Sequence, residues 1–279
     1  MTQILVLGGN GKVGRRLIGA LRGRGHQGVA ASRSSALRFD WHDPSTWPRA
    51  LQGADAVFVV GPGSAHDWSG PLSGFLDLAA KIRVRHAVLL SARAVQFLPG
   101  GAVDLAEQAL AAGPVPWTVL RPTHFAQNFT EAMFTPNDGV ITAPSGCGAE
   151  PFVDVQDVAE AAAQILARRS HISQNIALSG PAALTFSQAA AALAAASGTA
   201  VRFVDQEPAE HAARLAGAGT AAGYVRWRTA MLDAIRTGAD AYLSHGVQDV
   251  LGRPATDFVT WAAREVPGAA FATGRGPAR

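Results

Sequence analysis

The sequence predicts an α/β chain: a doubly wound parallel sheet with a smaller, mainly helical C-terminal lobe. Three observations carry that prediction. The first half alternates short β-rich runs with amphipathic helical stretches, the rhythm of parallel strands covered on both faces. Three glycines, Gly8, Gly11 and Gly14, sit where the first apolar run gives way to the first helical pattern. The chain has 279 residues, 48% of them hydrophobic, enough to bury the core of one large α/β domain and a small lobe.

The elements follow in order. `QILVLG` (3–8) is a near-continuous apolar run, as a strand buried on both faces should be. `KVGRRLIGALRGRG` places Val13, Leu17, Ile18 and Leu21 at helical spacing, with arginines on the opposite face. `GVAASR` (28–33) reads as a second strand and `ALRFD` (36–40) as a short third. `ADAVFVVGPG` (54–63) is a strong fourth strand that ends in the breakers Gly61, Pro62 and Gly63. `SGFLDLAAKIRV` is helical, `RHAVLLSA` (85–92) a fifth strand, `VDLAEQALAAG` a helix stopped by Gly113, and `PWTVLRP` (116–122) a sixth strand. The rhythm then loosens. `GVITAPSG`, `QNIALSG` and `AVRFVDQEP` read as strands, and `DVQDVAEAAAQILAR` as a helix capped by Asp154 or Asp157. `TFSQAAAALAAASG` runs from a good N-cap, Thr185, to a good C-terminal stop, Gly198. `EHAARLAGAG`, `YVRWRTAMLDAIRTG` and `TDFVTWAAREV` are helical, and the tail `GAAFATGRGPAR` has no periodicity and is expected to fray. The expected division is residues 1–150 as a nucleotide-binding domain, with 151–180 contributing further elements to it, and 181–279 as the helical lobe.

Composition excludes several functions. Net charge is only +3, and the 24 basic residues include just two lysines, Lys12 and Lys81. The arginines form no run, which argues against nucleic acid as a partner despite a pI near 9.6. The single cysteine, Cys147, permits no intrachain disulfide and sits in a Gly-rich loop as a small residue. The histidines show no paired ligand spacing, so no metal is expected. No apolar stretch approaches the ~20 residues of a membrane span, and `ILVLG` already reads as a strand, so a cytoplasmic location is expected.

A strand, the pattern Gly8-x-x-Gly11-x-x-Gly14 and a helix form the site where doubly wound, Rossmann-type folds hold a dinucleotide pyrophosphate. The glycines allow close backbone approach, and the helix N-terminus offers N–H groups and a positive dipole end. Asn10, Lys12 and Val13 fall within the same loop and first turn. A Walker A reading fails, because Val13 stands where Ser or Thr is needed and the glycine spacing is wrong. The end of the second strand then decides the cofactor. Ser32 and Arg33 offer a hydroxyl and a permanently charged donor fork, suited to a 2′-phosphate, and no carboxylate competes before Asp40. NADPH is the expected cofactor, with Gly61 and Pro62 after strand four completing its cleft.

With these residues placed, the chain resembles the NmrA-like branch of the atypical short-chain dehydrogenase/reductases. Within it, the agroclavine-dehydrogenase-type and NADPH:quinone reductase-like subgroup is the most similar. The resemblance covers nearly the whole chain. It rests on `GGNGKVG`, `ASR`, `VVGPG`, `VLLSA`, `WTVLRPTHFAQNF`, `PFVDVQDVAEAAAQIL` and the ending `DVLGRPATDFVTWAA`. It implies a small-molecule substrate and hydride chemistry. It also implies that Ser91 stands at the family's catalytic serine, beside the cofactor, with Ala92 next to it facing the substrate and Pro122 near the cofactor at the carboxyl end of strand six. One departure is large. The Tyr-x-x-x-Lys pair of most short-chain dehydrogenases is missing, with Pro99 and Val103 near its places and the only tyrosines, Tyr224 and Tyr242, in the second half.

Three outcomes stay open: a reaction needing no strong acid, another proton source, or no reaction. Quinone or iminium reduction needs mainly a positioned nicotinamide. A ketone needs a donor near the developing alkoxide. Ser91 is the first candidate and His124, after strand six, the second. Asn128 either serves the substrate or braces its loop. Trp68, Tyr224 and Trp227 form either an aromatic floor for a planar substrate or simply core. His66 and Asp67 lie on the loop after strand four, where they could line the mouth. The leading expectation is an NADPH-dependent reductase of a small aromatic or polycyclic ketone, quinone or imine, of the kind used in secondary-metabolite (antibiotic) biosynthesis. The rival is a non-catalytic NADP(H) sensor. Monomer and homodimer are both compatible with the sequence.

Overall fold

The computed structural model describes residues 2–267. The tail expected to fray, 268–279, lies outside the described residues. Strands β1 (Gln3–Leu7), β2 (Gln27–Ser32), β3 (Leu37–Arg38), β4 (Ala56–Val60), β5 (Ala87–Leu90) and β6 (Trp117–Pro122) alternate with helices. These are α1 (Lys12–Gly23), α2 (Trp47–Leu51), α3 (Ser69–Lys81) and α4 (Ala102–Ala112). The chain then forms α5 (Asn128–Glu131), β7 (Val140–Ala143) and β8 (Ala149–Glu150), and returns through α6 (Val155–Arg168) and β9 (Gln174–Leu178). Seven strands make one sheet in the order β3-β2-β1-β4-β5-β6-β9, with every pair parallel. The order reverses between β1 and β4, and ligands of such sheets bind at that switch point, outside the carboxyl ends of the strands.

The apolar runs explain the layers. Ile4 to Leu7 on β1 and Ala56 to Val59 on β4 are each at most 1% exposed, as strands covered on both faces require. Alternate residues serve different faces: Leu5, Leu7, Val57, Val59 and Leu89 join Leu72, Phe75 and Leu76 of α3 and Ala106 and Leu110 of α4 in one core. Helix α1 buries Val13, Leu17 and Leu21, the stripe read from its sequence, and packs against α6.

Two compact units emerge, and their boundaries differ from the expected ones. The sheet unit comprises residues 2–122, 155–178 and 245–253, and the other unit comprises 123–154, 179–244 and 254–267. Residues 123–150, expected in the nucleotide domain, instead leave the sheet after Pro122. Helix α6 and β9 bring the chain back, because β9 pairs with β6 from Thr118↔Gln174 to Pro122↔Leu178. A short helix, α10 (Gly246–Leu251, numbered in chain order), also belongs to the sheet unit. Gly246 lies so close to the Ala177 carbonyl that a Cβ would sit 2.2 Å from it, and the Arg253 guanidinium bonds Asp157 and Glu160 of α6.

The second unit is built on β10 (Leu184–Thr185), α7 (Phe186–Ser197), β11 (Arg202–Asp205), α8 (Pro208–Gly217), α9 (Ala222–Arg236) and α11 (Phe258–Glu265), together with α5, β7 and β8. Strand β11 runs parallel to β7, and β10 antiparallel to β8. Thr185 and Gln188 form a reciprocal capping box and Gly198 closes α7 at φ 70°, both as the sequence indicates. Phe129, Phe134, Phe152, Phe186, Phe258 and Trp261 fill the core of this unit. No helix among the described residues is long and apolar enough to cross a membrane.

Candidate cofactor cleft and buried polar cluster

The glycine loop is shaped by exclusion of side chains. Gly8 adopts φ +66° and donates its N–H to the Ala31 carbonyl of β2, while Gly11 donates to the Gly8 carbonyl. A Cβ on Gly14 would stand 2.4 Å from the Gly8 oxygen, so the first turn of α1 packs onto the loop only with glycine there. Gly9, which the spacing did not single out, is as constrained: its Cβ would meet that of Ala30 at 2.5 Å. Gly11 is the N-cap of α1 and provides no side-chain acceptor, which leaves first-turn N–H groups for an anion. Val13 is buried against the core, so it can serve a ligand only through its backbone. Lys12 is the first helical residue and half-buried. This cradle fits a pyrophosphate.

Beside it opens a cleft of about 320 Å³ lined by Leu7, Gly8, Ser32, Arg33, Phe39, Asp40, Trp41, His42, Val60, Gly61 and Pro62. Six residues expected at the cofactor site, Gly8, Ser32, Arg33, Asp40, Gly61 and Pro62, thus share one wall-to-wall space. Asn10 joins them, its amide donating to Ser32 Oγ at 3.3 Å and Ser35 Oγ at 3.2 Å. Arg33 is exposed at the rim, next to this cluster of hydroxyls. Phe39, Trp41 and His42 were not anticipated. The third strand is followed by `FDWH` (39–42), and Trp41 is fixed by an Nε1–H bond to the Val60 carbonyl at 2.9 Å.

Trp68 corrects the expected aromatic floor. It is 4% exposed, packs 5.2 Å from Trp41 within a cluster containing Trp47, Phe39 and Phe75, and presses on Gly61, where a Cβ would meet its indole at 2.3 Å. It is core. His66, two residues earlier, is exposed on the loop.

Ser91 needs a second correction. Its side chain is buried at the end of β5, and its hydroxyl donates to Glu107 Oε1 of α4. Arg121, at the end of β6, donates through Nε to both oxygens of the same carboxylate at 3.1 Å and through Nη2 to Oε2. The one proton Ser91 could give a developing alkoxide is therefore already committed, and only its lone pairs remain for a ligand. Helix α4 presents Glu107 to Ser91, in the region where the missing Tyr-x-x-x-Lys pair was sought. Pro99 is exposed and Val103 half-buried. Ala92 follows Ser91, half-buried, and Pro122 is buried at the end of β6.

The second unit holds a separate polar cluster. His124, 7% exposed at its side chain, places Nδ1 at 2.8 and 2.9 Å from the two oxygens of fully buried Glu150, which also accepts the His124 backbone N–H at 2.8 Å. Nε2 is buried with no hydrogen-bond partner among the described residues. Burial alone would lower the imidazole pKa. The Glu150 charge and hydrogen bond, helped by Asp240, outweigh both burial and the opposing Arg228, and hold it above the ordinary value. Arg228 of α9 donates Nε–H to Nε2 of buried His211 at 3.1 Å, and His211 Nδ1 faces Gln206 Oε1 at 3.0 Å. Burial, then Arg228 and Arg214, push His211 down to about 4, so it is the neutral Nδ1–H tautomer. Asn128, 6% exposed, opens α5, where its carbonyl accepts the Phe134 N–H. On α9, Trp227 is buried and Tyr224 half-buried.

A family model described as NAD(P)H-binding matches residues 8–169. The chain belongs to the NAD(P)H-binding family. Agroclavine dehydrogenase of Claviceps purpurea is 29% identical over 94% of this chain and 97% of its own. A (4-alkanoyl-5-oxo-2,5-dihydrofuran-3-yl)methyl phosphate reductase of Streptomyces griseus is 34% identical over 94% and 97%. A solved structure of an NADPH-dependent quinone oxidoreductase from Escherichia coli, complexed with NADPH, superposes with a TM-score of 0.76 at 21% identity over 93% of this chain and 98% of that one, a likeness of fold. The resemblance to agroclavine-dehydrogenase-type reductases is borne out, and the likeness to NmrA, at 17% identity and a TM-score of 0.73, is one of fold. Sequence reasoning did not find Gly9, the aromatic wall of the cleft, Glu107 or Glu150. Only the wall had a local signal, the aromatic residues that flank Asp40.

Proposed function

We propose that this NAD(P)H-binding chain is an NADPH-dependent reductase delivering hydride to a small aromatic or polycyclic ketone, quinone or imine, in the tailoring of a secondary metabolite. The observation that carries the reading is the cleft at the switch point. There Arg33, Ser32, Ser35 and Asn10 gather at the rim of the adenosine-sized space, with a charge and donors suited to a 2′-phosphate. Gly8 to Gly14 would hold the pyrophosphate. The cofactor, when bound, supplies the hydride. Ser91 would accept a hydrogen bond from a ligand rather than donate one. The named reductase and dehydrogenase relatives support hydride chemistry of this class.

A non-catalytic NADP(H) sensor is the second reading, favoured by the missing Tyr–Lys pair and the committed Ser91 hydroxyl. NADPH oxidation against a panel of quinones, polycyclic ketones and cyclic imines separates the two. Arg33→Ala tests the cofactor assignment: a lost charged hydrogen bond is worth ~1.5–3 kcal/mol, so NADPH should bind about 10–150-fold more weakly while NADH is nearly unaffected. Equal losses for the two cofactors would remove Arg33 from the 2′-phosphate.

A further inference from the structure

Helix α8 is held to its unit by little. It is 10 residues long, and a helix of that length is marginal in water by itself. Its N-cap, Glu207, makes no side-chain cap bond. Pro208, Ala212 and Leu215 are half-buried at helical spacing, and the one fully buried side chain of the helix is that of His211. A histidine thus occupies the place an apolar residue would fill where α8 packs on α9. The apolar core of the unit, built around Phe129, Phe134, Phe152, Phe186, Phe258 and Trp261, includes no residue of α8.

The contacts of His211 fix its proton count. Buried Arg228 of α9 donates Nε–H to His211 Nε2 at 3.1 Å, and a guanidinium has no lone pair to offer in return. Nε2 must be bare for that bond to exist. Nδ1 carries the single hydrogen and gives it to Gln206 Oε1 at 3.0 Å. Arg214 Nη2 lies 3.3 Å from the same oxygen and 3.1 Å from Nδ1. The charges facing the ring are therefore two guanidiniums, Arg228 from α9 and Arg214 from α8 itself. Glu207 and Glu210, at the start of α8, are exposed. Arg228 also acts on His124, whose other charged neighbours are Glu150 and Asp240. A proton on Nε2 would turn the Arg228 bond into two opposed donors and set a third cation among the two already there.

We propose that α8 is a proton-operated latch: a proton taken by His211 Nε2 releases this helix from α9 while the core of its unit stays folded. Opening is local because the core does not use α8. Arg228 stays in place, its guanidinium carbon 5.9 Å from the centroid of the Phe134 ring. Docked, burial and the two arginines hold His211 at about 4; released into water, it returns to the ordinary 6.5. The open helix binds the proton more tightly, so acid favours opening. Relative to pH 8, the opening equilibrium should rise about 4-fold at pH 6 and about 30-fold at pH 5. The latch holds for this chain whether or not it is a reductase.

Hydrogen exchange of the full chain, followed by mass spectrometry and corrected for the intrinsic pH dependence of exchange, tests the latch. Amides of α8 should lose about 30-fold in protection between pH 8 and pH 5. Those of α7, which buries Phe186, Ala189, Ala190 and Leu193 in the core, should remain far better protected at every pH. His211→Gln keeps an oxygen for Arg228 but cannot take the proton, so the α8 profile should become flat, whatever its level. Should His211→Gln fail to fold, Arg214→Gln, at an exposed position, removes one of the two cations and should make the acid loss in α8 smaller. Equal protection of α8 and α7 across the range would mean that α8 opens only with the whole unit, and overturns the proposal. An α8 profile that falls with acid as steeply in either variant as in the wild type overturns it as well.

Discussion

Each unit buries a carboxylate, and the two are handled differently. In the sheet unit, Glu107 is held by Arg121, a permanent cation, and by the Ser91 hydroxyl. In the other unit, Glu150 is held by His124, whose charge depends on pH. The first arrangement is a clamp: every proton in it is fixed, and it ties α4 to the ends of β5 and β6. The second can gain and lose a proton at an atom that has no hydrogen-bond partner among the described residues. Burial of a carboxylate therefore says little about its role. The titratability of its partner says much more.

The largest effects should come from breaking the clamp. Arg121→Met would leave Glu107 buried without its cation, at a cost of about 3 kcal/mol or more in unfolding free energy. That loss, read from denaturant midpoints, should be the same at pH 6 and pH 9. His124→Gln should behave otherwise. The folded pKa of His124 lies above its unfolded one, so the bound proton stabilises fully below about pH 6.5 and its contribution fades as pH rises through the folded value. The stability gap between wild type and His124→Gln should therefore shrink at alkaline pH. A gap as flat as that of Arg121→Met would erase the distinction between the two carboxylates.

Next in size is a substitution that adds a methyl rather than removing a charge. Gly14→Ala puts a Cβ 2.4 Å from the Gly8 oxygen and 2.7 Å from the Gly9 Cα, and both neighbours are backbone that cannot swing aside. Overpacking of this kind costs ~1–3 kcal/mol, and the loop of the cofactor site must distort to relieve it. NADPH affinity, followed by fluorescence titration, should fall about 5–150-fold, while circular dichroism stays that of a folded chain. Unchanged affinity would mean that the pyrophosphate does not depend on this cradle.

The sequence was legible where function is written in the backbone. Gly8, Ser32, Arg33, Gly61 and Pro62 were read into one cleft, and Gly11 and Gly14 into its loop, because a strand, a turn and a helix N-terminus impose local spacing. It was illegible where side chains meet across long separations. Glu150 lies 26 positions from His124 and Glu107 lies 16 from Ser91, and no local pattern marks either pair. Trp68 went the other way. Its place on a loop after β4 suggested a ligand surface, whereas packing on Gly61 and Trp41 made it core. The domain boundary at residue 150 failed for a similar reason: the chain leaves the sheet at Pro122 and rejoins it at β9, and strand-by-strand reading sees each run but not its partner. The NAD(P)H-binding family match ending at residue 169 likewise crosses that excursion.

The smallest expected effect sharpens the contrast by using the same residue type with the opposite surroundings. Each unit contains a buried histidine whose neighbours are arginines rather than carboxylates. In the sheet unit, His86 Nε2 lies 2.9 Å from Thr118 Oγ1, whose own hydroxyl donates to the His171 carbonyl, so Nε2 carries the hydrogen. Burial, reinforced by Arg169, pushes His86 down to about 4. His211 in the other unit is likewise pushed to about 4 by burial, Arg228 and Arg214. In both cases the unfolded chain binds the proton more tightly than the folded one. Stability is therefore complete above about pH 6.5 and is lost as pH falls from there toward 4, the reverse of His124. At pH 5 the loss should be on the order of 1–2 kcal/mol per histidine. His86→Gln and His211→Gln should each flatten the acid limb of a stability–pH curve, whereas His124→Gln should leave that limb alone and flatten the curve above about pH 6.5, where the wild type loses the His124 proton. If all three variants keep the wild-type slope, the charged state of these histidines is not set by the arginines and carboxylates beside them, and the contrast between clamp and proton site loses its physical basis.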